Sequence, residues 1–185
     1  MEYNLLIETP RLIIRPLLVT DEKDMFEMDS DPEVHRYLGN HYYTDIRQSC
    51  ENIAFVRQQY IDNGIGRWAM VEKDTANFVG WVGFKLIKET INGHKNFIDF
   101  GYRLLRRHWN KGFASEAGKA SLIYGTSVLG YKEVYAMTDV ENGASRCVLE
   151  KLGFRLVEIF PYDGAINWRA QNAPTTWYRL MLPGG

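Results

Sequence analysis

The chain has 185 residues, 45% of them hydrophobic, 24% charged and 14% aromatic, which is apolar enough to bury a core and too apolar for a disordered chain. Lys and Arg number 22 against 23 Asp and Glu, a net charge of −1, so no global basic field is available to hold a nucleic-acid backbone. The longest stretch without Asp, Glu, Lys or Arg is twelve residues, 120–131, short of the roughly 20 that cross a bilayer. Residues 1–15 carry Glu2, Glu8, Arg11 and Arg15 and no long apolar block, unlike a secretory signal or transit peptide. Cys50 and Cys147 belong to no disulfide or metal pattern, and the expectation is a cytoplasmic protein with reduced, packed thiols. No repeat or linker divides the sequence. A single domain across 1–185 is expected, ordered from about Asn4 to Leu182, with Pro183-Gly184-Gly185 as a frayed tail.

In chain order, Leu12-Ile13-Ile14 with Leu17-Leu18, flanked by Pro10 and Pro16, predicts a short edge or opening strand, because proline cannot donate to a central ladder. Thr20 or Asp21 then caps a helix that continues through Met28 and stops at Ser30-Asp31-Pro32. From Thr44 to Asn63 the apolar residues Ile46, Ile53, Val56 and Tyr60 recur at helical spacing before the stop signal Asn63-Gly64. β-Branched and aromatic runs over 68–71, 78–87 and 97–105 predict three strands joined by tight turns. A helix over 113–129 ends at Gly130. A strand over 134–138, a helix over 144–152 ended by Gly153, and strands over 154–160 and 176–181 complete the chain. This order predicts an α/β fold whose mixed sheet is made partly parallel by crossover helices.

The segment richest in chemistry is Arg106-Arg107-His108-Trp109-Asn110-Lys111-Gly112-Phe113-Ala114-Ser115-Glu116-Ala117, between a predicted strand and a predicted helix. A helix N-terminus leaves amide N–H groups unpaired and carries partial positive charge, so residues 111–115 can cradle a pyrophosphate while nearby cations screen it. The same segment also suits an ordinary connection with solvated cations, and spacing does not separate the two. It is not a P-loop, since five residues separate Gly112 from Gly118 and Ala follows Lys119, where four and then Ser or Thr are needed. There is no GxGxxG, HExxH or GxSxG, and His35, His41, His94 and His108 form no ligand pair. Metal, dinucleotide and covalent hydrolase chemistry are therefore not expected. Cys147 is expected to pack within its helix. Tyr42, Tyr43, Trp68, Trp81 and Trp168 are candidates for an acceptor pocket or for the core. Asp29, Asp31 and Glu33 read as a solvated helix end or as a lure for an amine-bearing partner.

At Trp109-Asn110-Lys111-Gly112-Phe113-Ala114 the chain resembles the acyl-CoA-binding loop of GNAT acetyltransferases, with Trp109 in the usual Arg/Gln position. That departure is typical of the RimJ/RimL-like branch. Asn142-Gly143-Ala144-Ser145-Arg146-Cys147-Val148-Leu149-Glu150-Lys151-Leu152-Gly153-Phe154 resembles the branch's second block. Glu8-Thr9-Pro10-Arg11-Leu12 and Gly101-Tyr102 match its habits, and together these blocks cover most of the chain.

The resemblance implies a twisted, partly parallel sheet in which two central strands, here 97–105 and 134–138, splay to admit the pantetheine arm of acetyl-CoA, used as cosubstrate without a metal. It implies a cofactor site at Leu104, Arg106, Arg107, Trp109, Asn110, Lys111, Gly112, Phe113, Ala114, Ser115, Asn142 and Ser145. Direct transfer to a primary amine needs a proton acceptor, a polarised carbonyl and protonation of the leaving thiolate. Asp99, where relatives commonly carry Glu, is the candidate base, directly or through water, with Asp139 as a second candidate. Ser145 is the leaving-group candidate, and Asn142 is equally a helix cap. The acceptor implied is a protein or peptide N-terminal α-amine. A polyamine or aminoglycoside acceptor, or a noncatalytic acyl-CoA sensor, is the alternative. Neither nucleic acid nor membrane is an expected partner, and monomer and homodimer stay open.

Overall fold

In the computed structural model, which describes residues 5–164 and 170–182, the chain opens with β1 (Ile7–Glu8), β2 (Leu12–Pro16), a 3-10 turn at Val19–Asp21, α1 (Glu22–Ser30), α2 (Pro32–His35) and α3 (Ile46–Asn63). It continues through β3 (Arg67–Glu72), β4 (Phe78–Ile87), β5 (Phe97–Leu104), a 3-10 turn at Arg106–His108 and α4 (Phe113–Ser127). It closes with β6 (Glu133–Asp139), α5 (Gly143–Lys151), β7 (Arg155–Pro161) and β8 (Pro174–Met181). The strands form one eight-stranded sheet in the order β1-β2-β3-β4-β5-β6-β8-β7. Every neighbouring pair is antiparallel except β5 and β6. The mixed sheet with one parallel pair and flanking helices is the architecture expected from the sequence.

Where local chemistry is strong the elements fall as predicted. The Asp45 side chain accepts the Arg47 N–H at 2.9 Å while Gln48 accepts the Asp45 N–H at 3.1 Å, a reciprocal cap that starts α3. Gly64, at φ +70°, ends it. The opening of the chain departs from expectation. β2 is not an edge strand, because the two-residue β1, too short to show any period, pairs outside it. Asp21 does not cap α1 through its side chain. Its carboxylate is taken by Arg15 at 2.7 and 2.8 Å and by the Leu18 N–H at 2.8 Å. Pro32 opens α2, with Asp31 accepting the Glu33 N–H at 2.9 Å, as its fixed φ allows at the first helical position. The tail 183–185 lies outside the described residues.

Alternation along the strands sorts side chains to two faces. On one, Trp68, Phe84 and Phe100 pack with Tyr124 of α4 and with Phe154. On the other, Arg67, Trp81, Lys85, Asp99 and Arg103 lie toward α1 and α3. Among the described residues no helix is long and apolar enough to cross a membrane. The two central strands, eight and seven residues long, share one paired position, Asp99 opposite Tyr135, and part beyond it.

α4 closes on the sheet through glycine. A Cβ on Gly125 would stand 2.7 Å from the ring of Phe84, which is fully buried and held by Trp68, Phe100 and Tyr131. Gly125→Val should therefore lower stability by about 1–3 kcal/mol, read as a lower midpoint in chemical denaturation. An unchanged midpoint would mean that α4 does not seat against Phe84.

Candidate active site

A cavity of about 1100 Å³ occupies the gap between β5 and β6. Residues 99–104 of β5 line one side, Met137 and Thr138 of β6 the other, and Asn142, Ser145 and Lys151 lie beside α5. At one end it meets the start of α4. At the other it opens into a lobe lined by His35, Tyr43, Asn52 and Phe55.

The start of α4 is built to present bare amides. Gly112, at φ +80°, is the N-cap and has no side chain to satisfy the first turn. The first helical bond runs from the Glu116 N–H to the Gly112 carbonyl at 3.0 Å, leaving the N–H groups of Phe113, Ala114 and Ser115 without helical acceptors. A large acceptor-rich anion fits there on geometry and on partial charge alike. Trp109 donates its Nε1–H to the Leu104 carbonyl at 2.9 Å, fastening the loop to the end of β5. Here the tryptophan in the usual Arg/Gln position has a structural task.

The loop is also held from outside the sheet. Glu116 accepts from the Thr9 hydroxyl at 2.6 Å, from the Arg11 N–H at 2.9 Å and from Arg11 Nε at 2.7 Å. Arg11 donates in turn to the Lys111 carbonyl at 2.9 Å and stacks on the Phe113 ring. The Thr-Pro-Arg opening and the loop at 109–116, more than a hundred residues apart, thus form one clamp. Burial acts to raise the Glu116 carboxyl, but the bonds from Thr9 and Arg11 outweigh it and hold the group below its ordinary range.

Asn142 caps α5 by accepting the Ser145 N–H at 3.1 Å. Ser145 is then met from the sheet by Tyr102, whose hydroxyl donates to the Ser145 carbonyl at 2.9 Å and lies 3.1 Å from Ser145 Oγ. Burial raises the Tyr102 phenol well above its ordinary value, so it stays protonated. Two hydroxyls therefore converge in the cavity wall, one from each side of the gap.

Asp99 lines the cavity, almost buried, and its Oδ2 is bound by Arg67 Nη2. Burial pushes its carboxyl up, with Arg67 pulling the other way. Next along the same face, the Trp81 ring lies 5.3 Å from both the Arg67 and Arg103 guanidinium carbons. Arg103 reaches Asp29 Oδ1 at 2.6 Å, and His35 Nε2 lies 3.4 Å from the same oxygen. Asp29 is thus no solvated helix end. It is wholly buried and ion-paired.

Of the predicted cofactor residues, the cavity brings together Leu104, Trp109, Asn110, Gly112, Phe113, Ala114, Ser115, Asn142 and Ser145. Arg106, Arg107 and Lys111 are not in its lining, and Arg107 pairs with Glu27 on the surface. Asp139 caps a turn by accepting the Glu141 N–H at 2.8 Å, as a polar strand terminus does. Cys147 is exposed and lines the cavity, correcting the expectation that it packs. Its position on α5 turns it out from the core. Tyr43 and Trp81 line the cavity, whereas Trp68 is wholly in the core, Tyr42 is exposed, and Trp168 lies outside the described residues. Sequence reasoning missed Arg67, Lys85 and Arg103. The available signal was a charged residue interrupting an apolar strand, which marks a lined cavity or a buried pair. Among the described residues no group of three or more His, Cys, Asp or Glu is placed to hold a metal ion.

A sheet parted at its centre, with bare helix amides at the mouth of the gap and an open lobe beyond it, defines the class of CoA-dependent acyltransferases. The chain belongs to the GNAT acetyltransferase family: residues 11–155 match the family's acetyltransferase (GNAT) domain. Among curated relatives it is 32% identical over 150 residues to the uncharacterized N-acetyltransferase YoaA of Bacillus subtilis, covering 81% of this chain and 82% of that one. Its fold matches a GNAT-family acetyltransferase from Bacillus anthracis (TM-score 0.78, 22% identity, 96% and 98% of the two chains). It also matches RimL, a ribosomal alpha-N-protein acetyltransferase in complex with coenzyme A (TM-score 0.79, 13% identity, 96% and 98%). The protein is accordingly an N-acetyltransferase.

The depressed Glu116 carboxyl gives the clamp a pH signature. A group whose folded value lies below its unfolded one stabilises the fold above the ordinary glutamate range, and that contribution is lost as pH falls through the range toward the folded value. Glu116→Gln should cost about 1–3 kcal/mol at neutral pH and flatten the acid limb of a stability-against-pH curve from the ordinary glutamate range downward. A variant with the same acid limb as the parent would rule out Glu116 as the titrating group of the clamp.

Proposed function

We propose that the protein transfers the acetyl group of acetyl-CoA to the α-amine of a peptide or protein by direct attack. The carrier's arm would lie in the β5/β6 gap, its diphosphate on the amides of residues 113–115, and the amine would approach from the α1–α3 side. The observation that carries this reading is the single paired position between β5 and β6, with one cavity running from the start of α4 through the gap into the lobe. Backbone groups that neighbouring strands would bond to each other are there turned to the cavity, and unpaired backbone groups demand partners. This is the habit of the RimJ/RimL-like branch, which the opening motif, the 109–116 loop and the 142–154 block resemble.

In the reaction a nitrogen–carbon bond forms and a carbon–sulfur bond breaks. The amine loses a proton and the departing thiolate gains one. Tyr102 and Ser145 are proposed to hydrogen-bond the developing thiolate and relay that proton. Asp99 is proposed to receive the amine's proton, directly or through water. Burial raises its carboxyl even against Arg67, but the Arg67 bond engages the oxygen that would take the proton, which favours an acceptor that needs little help. An α-amine, with an ordinary pKa of about 7.7–8.0, is substantially neutral at physiological pH, whereas an alkylamine near 10 is not. Relatives at 24% identity include a spermidine N(1)-acetyltransferase of Escherichia coli. A polyamine reading would call for several free carboxylates along the lobe, and with Asp99 and Asp29 both taken by arginines the exposed Glu33 is what the lining leaves for one.

The test is thiol release from acetyl-CoA with free N-terminal peptides, alkylamines and polyamines, with mass detection of the product. Acetylation of peptides at the α-amine alone is expected, and exclusive acetylation of an alkylamine or polyamine would overturn the acceptor assignment. Tyr102→Phe and Ser145→Ala should each lower kcat by about a hundredfold with little change in KM for acetyl-CoA. Parental kcat in both would remove the hydroxyl pair from the mechanism.

A further inference from the structure

Three cations stand on the floor of the acceptor lobe, and two already have counter-ions. Arg67 binds Asp99 and Arg103 binds Asp29, with Trp81 between them. The third is Lys85, which lies directly opposite Asp99 across the β4/β5 pairing and lines the same cavity. Its ammonium lies 5.8 Å from the centre of the Phe55 ring of α3. Among the described residues it has no hydrogen bond or ion pair. Burial, and then the like charge of Arg67, push this ammonium below its ordinary range against the smaller pull of Asp99 and Glu89, the sign of a cation whose surroundings satisfy it only in part.

A half-enclosed ammonium without a partner is costly to maintain. The two ion pairs beside it are neutral overall, so the positive charge that remains between them is that of Lys85, with Glu89 and the exposed Glu33 of the lining as the carboxylates nearby and neither in ion-pair contact with it. Such a lobe repels an acceptor that brings several ammonium groups. It also favours the neutral, nucleophilic form of the single amine that does enter, because a nearby like charge disfavours protonation. Both effects are useful only if the acceptor brings an anion of its own.

We infer that Lys85 is an anion-recognition residue of the acceptor lobe, and that the acceptor is an amine bearing a carboxylate within a few bonds of its nitrogen. The inference rests on the acetyl-transfer reading above and narrows its substrate class. The carboxylate can be that of a free amino acid or that of an acidic side chain beside a peptide N-terminus. The recognition chemistry is the same for both.

Binding of the acetylated product tests this without depending on turnover. Calorimetry would be run on the full chain in saturating CoA, with N-acetyl amino acids against their amides. A second arm would set N-acetyl dipeptide amides with Glu in second place against those with Gln. At least one carboxylate ligand should bind roughly tenfold or more tightly than its uncharged match, as a charge-assisted hydrogen bond provides. The arm that shows the preference identifies the source. Lys85→Gln should reduce the ratio to about one, and Lys85→Arg should retain it, which separates lost recognition from a lost fold. Equal affinities in both arms, a ratio unchanged in Lys85→Gln, or tighter binding of N-acetylspermidine than of any carboxylate ligand would overturn the inference. Thiol release measured in parallel keeps the two readings apart. Carboxylate preference without thiol release with any amine would support the lobe's assignment and defeat acetyl transfer. Thiol release without the preference would do the reverse.

Discussion

The structure depends on two strands that stop pairing. β5 and β6 meet at Asp99 and Tyr135 and then part, so a position in mid-sheet, where backbone groups are ordinarily consumed by the ladder, becomes a cleft with polar walls. The candidate site is arranged on that cleft. α4, the crossover that makes the pair parallel, begins at one end of it, α5 supplies Ser145 to its wall, and the face toward α1 and α3 carries the charged lobe. A closed ladder would leave a stable α/β sheet with the same core and no place for an extended carrier.

The surroundings keep the cleft in shape by consuming charge locally. The Glu116 clamp ties the N-terminal strand region to the first turn of α4, so the loop that presents its amides is held on both sides, by Trp109 to β5 and by Arg11 to the opening motif. Across the sheet, Arg67–Asp99 and Arg103–Asp29 bracket Trp81, each buried carboxylate meeting a planar guanidinium. Buried pairs of this kind add little net stability over apolar packing, but losing one partner leaves a charge stranded. They fix positions more than they strengthen the fold, and they leave Lys85 outside the pairing.

Much of the fold was legible in the residues. Strands over 78–87 and 97–105 show β-branched and aromatic runs between Asn-Gly and Lys-Asp turns, and α3 is bounded by a capping box and a left-handed glycine, all of them local effects. Errors gathered at the start of the chain. Asp21 is chemically suited to capping, yet Arg15 claims it, and Pro32 opens a helix where it was expected only to end one. Both outcomes turn on partners that local sequence does not specify. Asp29 and Cys147 were misplaced for the same reason: burial is a property of the packed chain.

By itself the sequence determined the mixed α/β class and the order of the main elements, and it marked the loop from Trp109 to Ser115 as a candidate for holding an anion, because caps, periodicity and glycine conformations act over a few residues. Only the tertiary structure decided that β5 and β6 separate, that Tyr102 meets Ser145, that Asp99 is bound by Arg67, and that Lys85 stands outside both arginine pairs. Those facts concern groups brought together from distant parts of the chain, and whether a charge is paired, buried or free is set by what packs against it.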